Sequence, residues 1–202
     1  AGVAPLLSPP VSREDAEALL ENRPGVAVAA VNSPTALTLA GEETALREIA
    51  GELENTFGLD IMTMPAIPVP KLAYDKKRDR YNADILLNQL GDTEYPASHV
   101  LGVADVDLCL SGRNFIYGKA DMVLGIAVFS ITRLRQKFYG MIPNEEVFHR
   151  RALSEAVHEV GHIFGMHHCK EPYCVMFLSS TVGEIDRKGW KFCRNCRESL
   201  SQ

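Results

Sequence analysis

The nineteen residues HEVGHIFGMHHCKEPYCVM (158–176) constrain this chain more than any other stretch, because they gather histidines, a glutamate and two cysteines at metal-ligand spacing. His158 and His162 are four residues apart. On a helix that separation is about one turn, so both imidazoles leave the same face and can reach one ion at ~2.1 Å. Two ligands hold an ion weakly. Gly165 permits a left-handed turn without a β-carbon clash, so the chain can double back and offer His168 as a third ligand. His158, Glu159, His162, Gly165 and His168 together meet the pattern H-E-x-x-H-x-x-G-x-x-H. His167 has the wrong spacing for a ligand and reads as a surface residue or as one that supports the ligands from outside. Met176 falls where a methionine-bearing turn can lie beneath the metal.

Three neutral imidazoles leave a zinc ion at +2 with one coordination place open. Water there ionises near neutral pH, at a pKa of ~7. Glu159, beside the first ligand, can take that water's proton as general base and hand it to a leaving amine. Zinc suits three imidazoles and needs no redox partner.

Four of the five cysteines lie after His168, as C-x4-C (Cys169, Cys174) and C-x2-C (Cys193, Cys196). Two close pairs suit a closed tetrahedral zinc site. Two disulfides are the rival pairing, and a redox C-x-x-C would need a preceding strand that Cys193 lacks. Arg187, Lys188, Lys191, Arg194 and Arg197 surround the second pair and would offset the charge of four thiolates. Cys109 has no partner in this scheme and reads as a small buried hydrophobe. Because Cys169 directly follows His168, the two metal sites should be coupled. The short C-terminal lobe has little core of its own, so its zinc would replace one.

The formal net charge of −5 argues against a general nucleic-acid binder. No apolar run reaches the ~18 residues of a membrane span, so no membrane partner is expected. The start AGVAPLLSPPVSRED carries no basic run before an apolar stretch and does not read as a secretory signal. Clustered metal-type cysteines suit a reducing compartment, which makes the cytoplasm the expected location.

Along the chain, Ser12–Asn22 reads as a short helix, and 26–31 and 36–39 as strands around Asn32-Ser33-Pro34. An amphipathic helix is expected over 42–57, then a strand at 59–64. Pro65, Pro68 and Pro70 read as an extended linker. Further expectations are a helix at 82–90, buried strands at 99–106 and 124–131, and a more exposed strand at 114–119. Pro143-Asn144-Glu145-Glu146 starts a helix that should run to about Phe164. This alternation suggests a mixed or mostly parallel sheet with helices against it, in an α+β domain.

The run HEVGHIFGMHHCKEPYCVM followed by DRKGWKFCRNC resembles the archaemetzincins, zinc metalloproteases of the metzincin clan. YDKKRDRYNAD, GVADVDL and RLRQKFYG extend the likeness back to about Ala36. The resemblance implies two zinc ions per chain. One sits on His158, His162 and His168 with Glu159 as general base and Met176 in the Met-turn; the other sits on Cys169, Cys174, Cys193 and Cys196. It also implies a mixed twisted sheet over the active-site helix, with one antiparallel edge strand bordering the cleft, for which 114–119 is the candidate. Phe177 and Leu178 stand where several metzincins carry a tyrosine after the Met-turn. Residues 1–35 fall outside the likeness as an N-terminal extension. An upper part (36–165) and a lower part (166–202) would form one metallopeptidase domain.

The leading expectation is a monomeric zinc peptidase, an aminopeptidase or small-peptide enzyme, taking an extended peptide or protein substrate. A zinc-stapled peptide-binding module and an amidase or deacetylase acting on a non-peptide amide are the alternatives. Retention of Glu159 favours an enzyme over a pure binder.

Overall fold

The computed structural model describes residues 25–32 and 40–200, with side chains from Leu46 onward. The helix expected at 12–22 and the strand expected at 36–39 lie outside the described residues. Five strands form the main sheet: β1 (Gly25–Asn32), β2 (Asp60–Pro68), β5 (His99–Ala104), β8 (Gly118–Asp121) and β9 (Ile126–Ser130). Their order is β2-β1-β5-β9-β8. All neighbours run parallel except β8, which lies antiparallel to β9 and forms one edge. The expected mixed sheet with an antiparallel edge strand is therefore present.

Helices cover both faces, and the strand sequences show why. In β5, Leu101 and Val103 face one core cluster while Val100 and Ala104 face the other. In β9, Ala127 and Phe129 alternate in the same way with Ile126 and Val128. A strand buried on both sides reads as a continuous apolar run. The first cluster is completed by α1 (Ala40–Phe57), through Ile49 and Leu53, and by α3 (Glu145–Ile163), through Ala152, Ala156, Val157 and Val160. The second is completed by α2 (Ala83–Asp92), through Leu86, Leu87 and Leu90.

Two expectations change. Pro65 and Pro68 are not linker residues but belong to β2, which runs on to Pro68. A proline lacks the N–H that a central strand needs, but β2 is an edge strand. Its register with β1 slips between Ala29↔Met64 and Val31↔Ile67, a bulge that takes up Pro65 and Ala66. The strand expected at 114–119 is two strands in different sheets. β7 (Arg113–Ile116) closes a second sheet of order β3-β4-β6-β7, with β3 (Tyr74–Asp75), β4 (Arg80–Asn82) and β6 (Leu108–Leu110). The chain then crosses at Tyr117 into β8. The edge strand of the main sheet is thus 118–121 rather than 114–119.

The C-terminal segment also departs from expectation. Cys174, Val175, Met176, Ile185 and Phe192 are buried in the same cluster as α3, so this part does not lack a core. It carries two short helices, α4 (Val182–Lys188) and α5 (Arg194–Leu200). Thr181 and Glu184 form a reciprocal capping box that starts α4. Arg151 on α3 forks onto both carboxylate oxygens of Asp186 at 2.7 Å, and the Ser154 hydroxyl donates to the Gly189 carbonyl at 2.7 Å. These bonds pin α4 against α3. Among the described residues no helix is long and apolar enough to cross a membrane.

Candidate metal centre

α3 begins where Asn144 caps it, its side-chain oxygen accepting from the Val147 N–H at 3.0 Å. Its end is set by Gly165, whose φ of +80° few other residues adopt. The Gly165 N–H donates to the His162 carbonyl at 2.9 Å and the Met166 N–H to the Gly161 carbonyl at 3.0 Å, the paired bonds of a Schellman stop. The backbone reverses there and brings His168 to the two helical histidines. One ring nitrogen from each of His158, His162 and His168 lies within 4.8 Å of the others. His167 is exposed and is not part of the cluster.

The ring orientations suit a metal. Nδ1 of His158 donates to the Val175 carbonyl and Nδ1 of His162 to the Met166 carbonyl, each at 2.7 Å. Both Nε2 atoms are then left as lone-pair donors, and they face each other at 3.1 Å. Two lone pairs so close repel unless a cation lies between them. Ligands at ~2.1 Å in a tetrahedron stand about 3.4 Å apart, near the spacing seen. Burial lowers the proton affinity of all three rings below the ordinary value, most strongly at His158. Neutral, metal-ready imidazole is therefore favoured.

Glu159 lies in the wall of the same cleft, 3% exposed, and its Oε2 has no hydrogen-bond partner among the described residues. Burial first, then the nearby Glu155 carboxylate, raises its pKa well above the usual range, while Lys188 opposes the shift. A β-carbon at Gly118 on β8 would clash with the Glu159 carboxyl group and its Cγ, so this close approach of edge strand and side chain favours glycine. A β-carbon at Gly161 would meet Met176 Sδ at 2.6 Å. Met176 is fully buried directly against the histidine-bearing helix, as a Met-turn would be.

The four cysteine sulfurs also lie within 4.8 Å of one another, and all are free thiols. Cys169 and Cys193 sulfurs are 3.9 Å apart, close to the ~3.8 Å of a tetrahedral site with 2.3 Å bonds and far from a disulfide. The Glu171 and Cys193 N–H groups donate to the sulfurs of Cys169 and Cys174, each at 3.4 Å. The expected charge compensation is only partly met. Lys188 instead turns to the histidines, and Arg187 and Arg194 pair with Glu184 and Glu198. Cys109 is buried on β6, apart from the cluster.

Sequence reasoning missed the layer beneath the histidines. Lys188, its side chain 1% exposed, forms an ion pair with buried Glu155 at 2.9 Å. Its ammonium also lies 3.4 Å from His158 Nδ1 and from the Phe177 carbonyl. Glu155 sits one turn before Glu159, a spacing visible in the sequence, but its partner lies on another helix. Val175, whose carbonyl orients His158, was also not legible. Around these groups lies a cleft of about 590 Å³, lined by residues 113–120 on one side and by the histidines, Leu178 and Ser179 on the other.

The chain is 39% identical over 137 residues to the archaemetzincin of Methanocaldococcus jannaschii, covering 68% of this chain and 75% of that one. Its fold is similar to the crystal structure of an archaemetzincin from Methanopyrus kandleri, with a TM-score of 0.78, 30% identity, and 89% and 94% of the two chains covered. It is similar too to a zinc-dependent peptidase from Methanocorpusculum labreanum, with a TM-score of 0.75, 26% identity, and 87% and 100% covered. The signature of peptidase family M54 matches residues 66–202, the span that holds both the histidine and the cysteine cluster. Fold, ligand geometry and relatives converge, and the chain belongs to peptidase family M54.

Proposed function

We propose that this protein is a zinc metallopeptidase of the metzincin type that hydrolyses peptide bonds in an extended substrate. The observation that carries the reading is the pair of Nε2 lone pairs held 3.1 Å apart beside a buried glutamate with an unpartnered oxygen. His158, His162 and His168 would hold the catalytic zinc, and Cys169, Cys174, Cys193 and Cys196 a structural one. When bound, the catalytic ion supplies Lewis acidity at the substrate carbonyl and draws the ionisation of water toward neutral pH.

The remaining work falls to the chain itself. The free edge of β8 offers backbone N–H and C=O groups to an extended peptide, which adds to the sheet by main-chain hydrogen bonds. Glu159 takes the proton of the attacking water at its unpartnered Oε2 and gives it to the leaving nitrogen. The Val175 and Met166 carbonyls hold two of the rings in the ligating tautomer. Lys188 keeps the Glu155 carboxylate engaged beneath the site. The described residues up to Gly165 and from Met166 onward act as upper and lower parts of one monomeric domain, and the free thiols suit a cytoplasmic setting.

The test combines zinc counting by native mass spectrometry with digestion of a peptide library by wild type and Glu159→Gln. The reading expects two zinc ions in both proteins and cleavage by wild type alone. Peptide binding without cleavage by the zinc-loaded wild type would make it a binding module. Hydrolysis confined to non-peptide amides would make it an amidase or deacetylase.

A further inference from the structure

The cleft presents charge of one sign to solvent. Apart from the histidines, its charged lining residues are Arg113, Lys119, Glu155, Glu159 and Lys188. Both glutamates are buried at 3% exposure, and Glu155 is engaged by Lys188. Lys119 is paired with Asp84. Arg113 remains: it is exposed, and its side chain makes no ion pair or hydrogen bond among the described residues. An unpaired guanidinium at the mouth of a cleft is a binding group without a ligand.

Its position is defined by the backbone. Arg113 pairs with Leu110 across the two-residue turn Ser111-Gly112, and Gly112 takes a φ of +77°. Such a hairpin fixes the origin of the side chain more tightly than a long loop does. Arg113 and all three histidines line the same cleft, so its side chain is carried on the wall that faces the metal-binding cluster. The chain as a whole carries −5, so an acidic ligand is repelled by the molecule at large and drawn to this spot.

We propose that Arg113 sets the substrate preference of the cleft by receiving a carboxylate of the bound peptide, either an Asp or Glu side chain or the C-terminus. Arginine suits this task because its fork can meet both carboxylate oxygens. The inference rests on the reading of the cleft as a peptide site. It also bears on the direction of cleavage. An aminopeptidase needs an accessible acid to hold the substrate's α-ammonium, and the described lining offers none outside the buried pair Glu155 and Glu159.

The experiment measures binding first, on zinc-loaded Glu159→Gln, by fluorescence anisotropy at low salt. The probes are a neutral peptide blocked at both ends, blocked peptides carrying one Glu or one Lys, and the neutral peptide with a free C-terminus. One or both acidic probes should bind about fivefold tighter than the neutral one, and which of them does so identifies the source of the carboxylate. Adding Arg113→Ala should erase the difference, and adding Arg113→Glu should turn the preference toward the lysine peptide, a reversal that misfolding cannot mimic. Equal binding of all probes, no binding of any, or an acidic preference that survives Arg113→Ala overturns the inference. Cleavage by the wild type is scored separately. Peptides cleaved without regard to residue 113 sink this inference alone, and Arg113-dependent binding without cleavage sinks the peptidase reading alone.

Discussion

Replacing Cys193 with serine tests whether the thiolate cluster governs the histidine site, although Cys193 touches no histidine. Two routes connect them. Cys169 follows His168 in the chain, and its N–H donates to the Met176 carbonyl at 2.9 Å. Cys174 precedes Val175, whose carbonyl holds His158 at 2.7 Å and whose N–H donates to the Lys191 carbonyl at 2.9 Å. A cluster that loses one thiolate releases Cys169 and Cys174 together. The hydrogen bond to a metal-bound histidine is typically worth ~10–100-fold in metal affinity. The Val175 route alone therefore predicts a loss of about 1.4–2.7 kcal/mol at the catalytic site. Val175, Met176, Ile185 and Phe192 remain in the shared core, so the segment should loosen without unfolding. Zinc competition against a graded chelator series, read by native mass spectrometry, gives the affinity of the histidine site. Cys109→Ser, on β6, serves as control and should leave that affinity unchanged. If Cys193→Ser empties the thiolate cluster and the histidine site keeps its wild-type affinity, the coupling argument is refuted.

Three further outcomes follow from the same geometry. Lys188→Met leaves the buried Glu155 carboxylate without its partner and should cost about 3–5 kcal/mol of stability, read by denaturant unfolding; Lys188→Met with Glu155→Leu should recover most of it. Gly118→Ala drives a β-carbon against Glu159 Oε1 and should lower kcat about 10–100-fold while leaving zinc stoichiometry at the wild-type value. Protein stripped only of its histidine-bound metal should lose stability as pH falls below about 6.5, the ordinary histidine value. The unfolded chain takes up protons there, while the buried rings, their pKa values lowered, do not until more acidic pH. Glu159 acts in the opposite sense, because its raised pKa lets the folded protein bind the extra proton. The melting temperature is therefore followed in Glu159→Gln, and a flat profile from pH 7.5 to 5.5 would contradict the burial argument.

Local chemistry was legible in the sequence and long-range chemistry was not. The helix start at Asn144 and the stop at Gly165 depend on residues close in the chain and appear where expected, and the histidines and cysteines singled out by spacing lie together in two clusters. The layer beneath the histidines depends on contacts across the fold. Lys188 meets Glu155 through the docking of α4 on α3, and no local pattern distinguishes it from the surface cations around it. Gly118 and Gly161 look like ordinary strand and helix glycines until Glu159 and Met176 arrive against them. Prolines suggested a linker at 65–70 because sequence does not disclose that the strand beside them lies at a sheet edge. The division of 114–119 between two sheets was hidden for the same reason: Tyr117 is a crossing point only in three dimensions.

The spacing between the two ends of the thiolate clamp has a consequence for biosynthesis. Cys169 and Cys193 are separated by twenty-four positions, so a growing chain displays all three histidines well before it owns the sulfurs that brace them. Until those last thiols emerge, His158 and His162 already sit on α3, but the loop that carries His168 lacks its brace. A chain cut just before Phe192 should therefore hold zinc on its histidines more weakly than the full chain, as chelator competition would read.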